Sequence, residues 1–168
     1  MTISGAIMTP LDHIRTLVAN CAAWQDWCGV STAADAEDYI HLIALMEGQV
    51  SYPYCHLIWE GGLNLQREAG GAGYMWGRQG RVRLDFCEII PEDLRGQDRL
   101  DEASAHLLNR VGDVIEDMAD LSATDDYTNL IDISAPDAPR TPNKSHGSGD
   151  TDAAPYIRQV VNVRWSRF

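Results

Sequence analysis

The sequence predicts one α/β (α+β) domain, built from a mixed, mostly antiparallel sheet flanked by helices, with a long polar loop before the C-terminal strand. The helical part is indicated by an apolar stripe of helical period in residues 98–121. The sheet is indicated by residues 156–168, where apolar and polar side chains alternate. Between them, residues 136–155 contain almost no apolar side chain, which is typical of a functional or disordered loop.

Length and composition fit this class. The 168 residues, of which 45% are hydrophobic, suit a single domain spanning 1–168. The net charge of −12 argues against a nucleic-acid binder held by phosphate contacts. No apolar run is long enough to span a membrane, and residues 1–13 lack the basic and apolar regions of a signal peptide.

The first third of the chain predicts two helices. A Thr-Pro pair at 9–10 suits the cap and first position of a helix. Helically spaced apolar residues then continue to Cys28, and Gly29 supplies a stop. A second Thr-x-x-Asp pattern at 32–35 predicts another helix over residues 33–46.

The centre of the chain changes to a strand pattern. Residues 54–60 and 63–68 are strand candidates, and residues 74–77 and 80–89 suggest the two arms of a hairpin. The glycine cluster at 70–73 suits a turn, with a ligand role as the alternative. The last arm alternates between a core side and a water side, with Val82, Leu84 and Phe86 against Arg81, Arg83 and Asp85.

The last third predicts a long helix, a strand, the polar loop and the terminal strand. Asp98 and Asp101 resemble a capping box at the start of the helix over 98–121. Residues 130–133 form the next strand candidate. The terminal strand is predicted to bury one side, which carries Ile157, Val161, Val163 and Trp165.

Charge is distributed unevenly. Residues 85–126 contain 13 acidic and 3 basic residues. Two interpretations stay open for this acidic stretch. One is a solvated helix face, and the other is a surface turned toward a polyanion that must not bind.

No catalytic or cofactor motif stands out. The sequence lacks the glycine-rich phosphate loops, the H-E-x-x-H helix and the G-x-S-x-G turn. We therefore expect no catalytic, cofactor-binding or metal-binding residues. His146 and Asp150 supply acid–base residue types, but a mobile loop holds them in catalytic geometry only if something orders it.

The four cysteines form no C-x-x-C pair. The preferred interpretation is four small buried hydrophobes in a reducing compartment, and a disulfide or a metal site is the alternative. Cys21 and Cys28 are seven residues apart and are predicted to share one helix face.

Contacts with partners are predicted at the hairpin and the polar loop. Trp76 lies between glycines, where an exposed ring would anchor a partner. The loop 136–155 is expected to be mobile in the free subunit and ordered in an assembly. The predicted interface residues are Trp76, Arg140, Lys144, His146, Asp150 and Asp152.

The order of these segments resembles a known family. A first helix reads LVANCAAWQDWCG, a strand region ends in RVRLDFCEIIP, and a long helix reads HLLNRVGDVIEDMADLSA. Residues 130–133, a polar insert and a terminal strand from Tyr156 to Trp165 follow. In pattern and order, the chain resembles the tail-terminator and related neck proteins of tailed bacteriophages.

The resemblance implies a structural virion protein and not an enzyme. It implies a homo-hexameric ring that caps the tail tube and joins it to the head connector, with DNA passing through the lumen without specific binding. The location would be the tail or neck of the virion, and the host cytoplasm during assembly. The alternatives are a head-completion or connector adaptor protein of the neck, and a small cytoplasmic enzyme that uses the loop around His146.

Overall fold

The computed structural model describes residues 8–42, 51–60, 64–70, 73–95, 99–123, 129–135, 139 and 156–167. Of these, residues 8–9, 64–70, 73–78, 129–131 and 167 are described by their backbone alone. Within these residues there are four α-helices: α1 (Met8–Asn20), α2 (Ala22–Cys28), α3 (Ala33–Glu37) and α4 (Leu100–Ser122). The strands are β1 (Ile40–His41), β2 (Tyr54–Trp59), β3 (Asn64–Gly70), β4 (Gly73–Ile89), β5 (Asn129–Ser134) and β6 (Tyr156–Arg167).

The strands form one six-stranded sheet in the order β1-β2-β4-β6-β5, and β3 pairs with the first half of β4. Only the short β1–β2 pair is parallel among the described strands. The predicted class, a mixed and mostly antiparallel sheet with helices, is confirmed. The long strand β4 is the centre of the sheet, since β2, β3 and β6 all pair with it.

The core lies between one face of this sheet and the helices. Residues directly opposite each other on neighbouring strands share a face, so the register divides the sheet into two faces. The inner face carries buried apolar residues of β2, β4 and β6, including Leu57, Val82, Leu84, Val161 and Val163. These residues belong to the same buried cluster as the apolar residues of α1, α2 and α4.

Helix α4 confirms the predicted long amphipathic helix. Its buried residues follow the predicted stripe: Ala103, Leu107, Val111, Val114 and Met118. Full burial of one such aliphatic side chain stabilises the fold by roughly 1.5–3 kcal/mol. The predicted cap is wrong, because the N-cap position is occupied by Arg99, whose side chain makes no capping hydrogen bond to the backbone of the helix. Asp98 itself lies outside the described residues.

The predicted first helix is in fact two helices. Cys21 interrupts it with an extended backbone (φ −65°, ψ 125°) and precedes α2. The N-terminus of α2 is held by a residue distant in sequence, because the Ala23 N–H donates to Asp117 Oδ2 of α4 at 2.8 Å. The prediction that Cys21 and Cys28 share one helix face is therefore wrong. The predicted stop is confirmed, since Gly29 is left-handed (φ 69°) after the end of α2.

The predicted second helix over 33–46 is too long. The Thr32 cap is confirmed, because its side chain accepts a hydrogen bond from the Asp35 N–H at 3.2 Å. However, α3 ends at Glu37, and Ile40 and His41 pair with β2. A non-local strand pairing replaces the helix here, and residues 43–50 lie outside the described part of the chain.

The predicted hairpin between 74–77 and 80–89 is also wrong. Both segments belong to the continuous strand β4, and the hairpin is formed by β3 and β4, with Gly70 opposite Gly73. The two ends of the glycine cluster at 70–73 are therefore paired with each other, as the predicted turn requires, and residues 71–72 lie outside the described residues. Gly80 has a packing role instead: a Cβ atom there would lie 2.7 Å from Trp165 Cζ2.

The two C-terminal strands are confirmed within a residue or two. The predicted inner residues of β6, from Ile157 to Trp165, are buried. Gln159 is the exception to the apolar pattern, since it is fully buried on the same face and its Nε2 donates to the Val160 carbonyl at 2.8 Å. The predicted mobile loop 136–155 lies outside the described residues, apart from residue 139.

Candidate functional site

The residues predicted to contact partners are mostly beyond the described structure. Trp76 lies in β4, where its backbone pairs with Arg67 of β3, and its side chain is not described. The others fall outside the described residues: Arg140, Lys144, His146, Asp150 and Asp152. Candidate surfaces therefore have to be found among the elements that the structure describes.

The first candidate is the face of the sheet that points away from the core, called here the outer sheet face. The register gives its members on the central strands β2, β4 and β6 and on β5. It carries four arginines and two aspartates: Arg81, Arg83, Arg158, Arg164, Asp85 and Asp132. No described helix contributes to a buried cluster on this side. This face is therefore mostly polar, unlike the inner face, and it combines exposed arginines with buried Asp85, Cys87 and Ser166.

A buried carboxylate organises the centre of the outer sheet face. Asp85 is 3% exposed and accepts two hydrogen bonds from Arg83, at 2.9 and 3.3 Å. Arg158 approaches the same carboxylate from β6 at 3.4 Å. Because charge-assisted hydrogen bonds are roughly twice as strong as neutral ones, these contacts hold two arginine side chains flat against the sheet.

One end of the outer sheet face is aromatic. Tyr52 lies with its ring centroid 5.2 Å from that of Tyr54 and 5.9 Å from that of Tyr156. His41 adds a fourth ring, 6.2 Å from Tyr54. Burial, followed by the hydrogen bond with Cys87, raises the pKa of Tyr54 well above its ordinary range. The hydroxyl is therefore protonated at neutral pH, and this end presents neutral rings with polar tips.

The two histidines beside these rings are uncharged at neutral pH. Burial lowers the pKa of His41 below 6.5, and the nearby Arg15 lowers it further. Burial also lowers the pKa of His56, against the opposing effect of Asp85. The charge of the outer sheet face at neutral pH is therefore set by its arginines and aspartates.

The second candidate is on the opposite side of the molecule, where α2 and α4 border a cleft of about 550 Å³. The cleft residues with charged or aromatic side chains are Asp26, Trp27, Arg110, Asp113, Glu116 and Asp117. Four of these six are acidic. Together with the exposed Asp120 on the next turn of α4, the acids of this cleft form what we call the acidic helical surface.

The single arginine of the cleft is already engaged. Arg110 lies 5.7 Å from the ring centroid of Trp27 and pairs with Glu88 at 3.4 Å. Trp27 Nε1 also donates to Glu88 Oε1 at 3.3 Å. Arg110 therefore links α2, α4 and β4. Asp117 accepts a hydrogen bond from the Ala23 N–H, but within the described residues Asp113, Glu116 and Asp120 have no basic partner.

The reactive side chains are poorly suited to nucleophilic chemistry. All four cysteines are free thiols, and three of them are buried, in line with the prediction of small buried hydrophobes. Burial raises the pKa of Cys21 and of Cys28 to about 12 and that of Cys87 to about 11. Burial also raises the pKa of Cys55 well above 9.0. Thiols in this state react slowly because the thiolate is the nucleophile.

Within the described part of the chain, no group of three or more His, Cys, Asp or Glu side chains is placed to hold a metal ion. None of the described helices is long and apolar enough to cross a membrane.

Sequence reasoning found parts of the outer sheet face but not its assembly. The alternation in β4 correctly placed Arg83 and Asp85 on the face away from the core, but the expectation that this face lies in water is wrong for Asp85, which is buried by its contacts with Arg83 and Arg158. It could not predict that β2 and β6 flank β4, and so it missed the Arg158–Asp85 contact and the cluster of Tyr54 with Tyr156. These depend on strand order, for which a single strand pattern contains no information.

Comparison with known proteins adds no relative. No family model matches the chain, and no curated protein matches it.

Proposed function

We propose that this protein acts by assembly, as a ring-forming structural subunit of the neck or tail of a tailed bacteriophage. In this role it caps the tail tube and joins it to the head connector. The proposal starts from the resemblance in segment order described above. It is supported by the nature of the surfaces that the fold leaves open.

The observation that carries the proposal is the polar outer sheet face, on which none of the described helices contributes to the buried cluster. A sheet that packs helices on one face only leaves its other face to solvent or to a partner. Here that face holds two arginines, Arg83 and Arg158, paired with buried Asp85, and a cluster of four aromatic rings at one end. Arginine and tyrosine are enriched at protein–protein contacts. An array held in place before binding loses less entropy on association.

The chemistry of the described side chains also favours assembly over turnover. The thiols are protonated at neutral pH because burial raises their pKa values. The arginine of the acidic cleft between α2 and α4 is occupied by Glu88 and Trp27. Each feature has a structural role in the fold.

Native mass spectrometry of the purified full chain, over a range of concentrations, tests the proposal. A closed oligomer built from 18.6 kDa subunits is expected, with six copies as the number that the resemblance implies. A twelve-membered ring would favour the connector adaptor instead. A monomer at every concentration, with or without assembled tail tubes, would contradict the proposal.

A further inference from the structure

Two arginines on the outer sheet face are placed at an electrostatic cost. Arg81 of β4 and Arg164 of β6 are direct cross-strand partners, and both are exposed. Like charges directly opposite each other destabilise a sheet. Asp132 is the next residue in this row, on β5. Even so, within the described residues neither Arg81 nor Arg164 forms an ion pair.

The acidic helical surface carries like charges of the opposite sign, which also repel one another. Asp113, Glu116, Asp117 and Asp120 follow one another along the second half of α4, and no basic residue occupies its last turn. Acids four residues apart on a helix repel each other. Negative charge near a helix C-terminus also opposes the helix dipole. Among the described residues, the exposed Asp113, Glu116 and Asp120 form no ion pair that would relieve this repulsion.

These two unfavourable surfaces lie on opposite sides of the same subunit. The arginines are on the sheet face away from the core, while the acids are on the side of α2 and α4 away from their buried residues. Complementary patches on opposite sides of one chain favour head-to-tail contacts. Such contacts produce rings when the rotation between subunits closes.

We propose that the outer sheet face, around Arg81 and Arg164, docks onto the acidic helical surface of the next copy, around Asp113 and Glu116. This inference rests on the proposed ring-forming function and names the contact that builds the ring. Each surface supplies the charge that the other lacks, so the repulsion within each free subunit becomes attraction across the contact.

A polyanion such as DNA is the other chemistry that the arginines would attract. The second copy is favoured because the chain already presents a matching acidic surface and has a net charge of −12. An acidic protein of this kind repels a nucleic-acid backbone over most of its surface. Binding of duplex DNA is therefore included in the test as a contradictory outcome.

Two charge-reversed full-length variants test the contact. The sheet variant carries Arg81→Glu and Arg164→Glu, and the helix variant carries Asp113→Arg and Glu116→Arg. Each alone is expected to self-associate at least roughly tenfold more weakly than the wild type, because one surface then meets a partner of its own sign. An equimolar mixture of the two variants is expected to assemble again. A chain that carries all four changes should also assemble.

The controls are reversals away from both surfaces. Arg99→Glu changes a half-buried arginine that pairs with exposed Glu102 and donates to the Asp93 carbonyl, and ion pairs at the surface contribute little. The double change Glu92→Arg and Asp93→Arg adds the same charge as the helix variant at exposed residues. Circular dichroism spectra check that every variant is folded. Both controls are expected to assemble like the wild type.

The outcomes separate this inference from the proposed function. If the sheet variant and the helix variant each form the same ring as the wild type, the proposed contact is wrong, while the ring-forming function still stands. The proposed contact is also wrong if neither the equimolar mixture of the two variants nor the chain with all four changes assembles. The same holds if the sheet variant loses binding to duplex DNA while its oligomeric mass stays unchanged. A wild type that never assembles would contradict the proposed function itself.

Discussion

Replacing Gly80 by alanine probes a close approach between β4 and β6, where Gly80 lies opposite Trp165. A Cβ atom at this position would lie 2.7 Å from Cζ2 and 2.8 Å from Cε2 of Trp165. Trp165 is fully buried, and its ring centroid lies 6.1 Å from that of Trp59. The indole is therefore enclosed and has little room to move away. We expect the Gly80→Ala variant to fold and to be less stable than the wild type.

The magnitude follows from two opposing terms. Overpacking of a closed core costs roughly 1–3 kcal/mol. The loss of glycine's flexibility in the unfolded chain returns about 0.4–1 kcal/mol. The net destabilisation for Gly80→Ala is then about 0–2.6 kcal/mol, with a midpoint of about 1.3 kcal/mol. For a chain of this size, each 1 kcal/mol lowers Tm by about 2–4 °C.

Urea unfolding followed by far-UV circular dichroism measures the effect, and Gly112→Ala is the matched control. Gly112 lies in α4, where an added Cβ atom would meet nothing within 4 Å, so alanine there is expected to stabilise by about 0.5–1 kcal/mol. In a Trp165→Phe background the smaller ring should remove most of the cost of Gly80→Ala. The packing argument fails if Gly80→Ala stabilises as Gly112→Ala does, or if its cost is unchanged beside phenylalanine.

Three further predictions concern the core, the thiols and the polar loop. Leu107→Ala should cost about 2–5 kcal/mol, while Asp101→Ala on the exposed side of α4 stays within about 0.5 kcal/mol; equal shifts in thermal unfolding would mean that the wrong helix face was assigned. The free Cys21 thiol, with its pKa raised from 9.0 to about 12, favours the folded state while it is protonated. The free energy of unfolding should therefore fall as the pH rises from 9.0 to about 12. It should fall less steeply in the Cys21→Ala variant. Deletion of residues 140–152 should leave the melting temperature nearly unchanged, because β5 and β6 pair without them, yet leave tails unjoined or of uncontrolled length; electron micrographs of normal tails on filled heads would contradict this.

The sequence predicted those elements whose pattern is complete within one segment. The stripe of α4 and the alternation of β6 each bury one side against the same core, so their periodicity alone identifies them. The predicted class of fold follows from these two elements.

The errors arise where a distant residue decides the local structure. The first helix breaks at Cys21 because Asp117 of α4 caps the new helix. The glycine at position 80 is a contact point for Trp165 and not a turn, so β4 continues through it. Propensity cannot predict either outcome, because both depend on tertiary contacts.

The candidate surfaces could be predicted only in part, for the same reason. Acidic residues along α4 are visible in the sequence, and their interpretation as a solvated face or a functional surface was left open. The matching arginines become a patch only when β4 and β6 lie side by side, which brings Arg81 opposite Arg164. Strand order therefore completes the charge pattern that the proposed contact uses.

Imaging of the purified assembly by cryo-electron microscopy tests the central claim most directly. The account predicts a closed ring in which the outer sheet face of each subunit, at Arg81 and Arg164, meets Asp113 and Glu116 of its neighbour. Two-fold pairs with their sheet faces against each other would contradict the head-to-tail contact. Isolated monomers under all conditions, including the presence of tail tubes, would contradict ring assembly altogether.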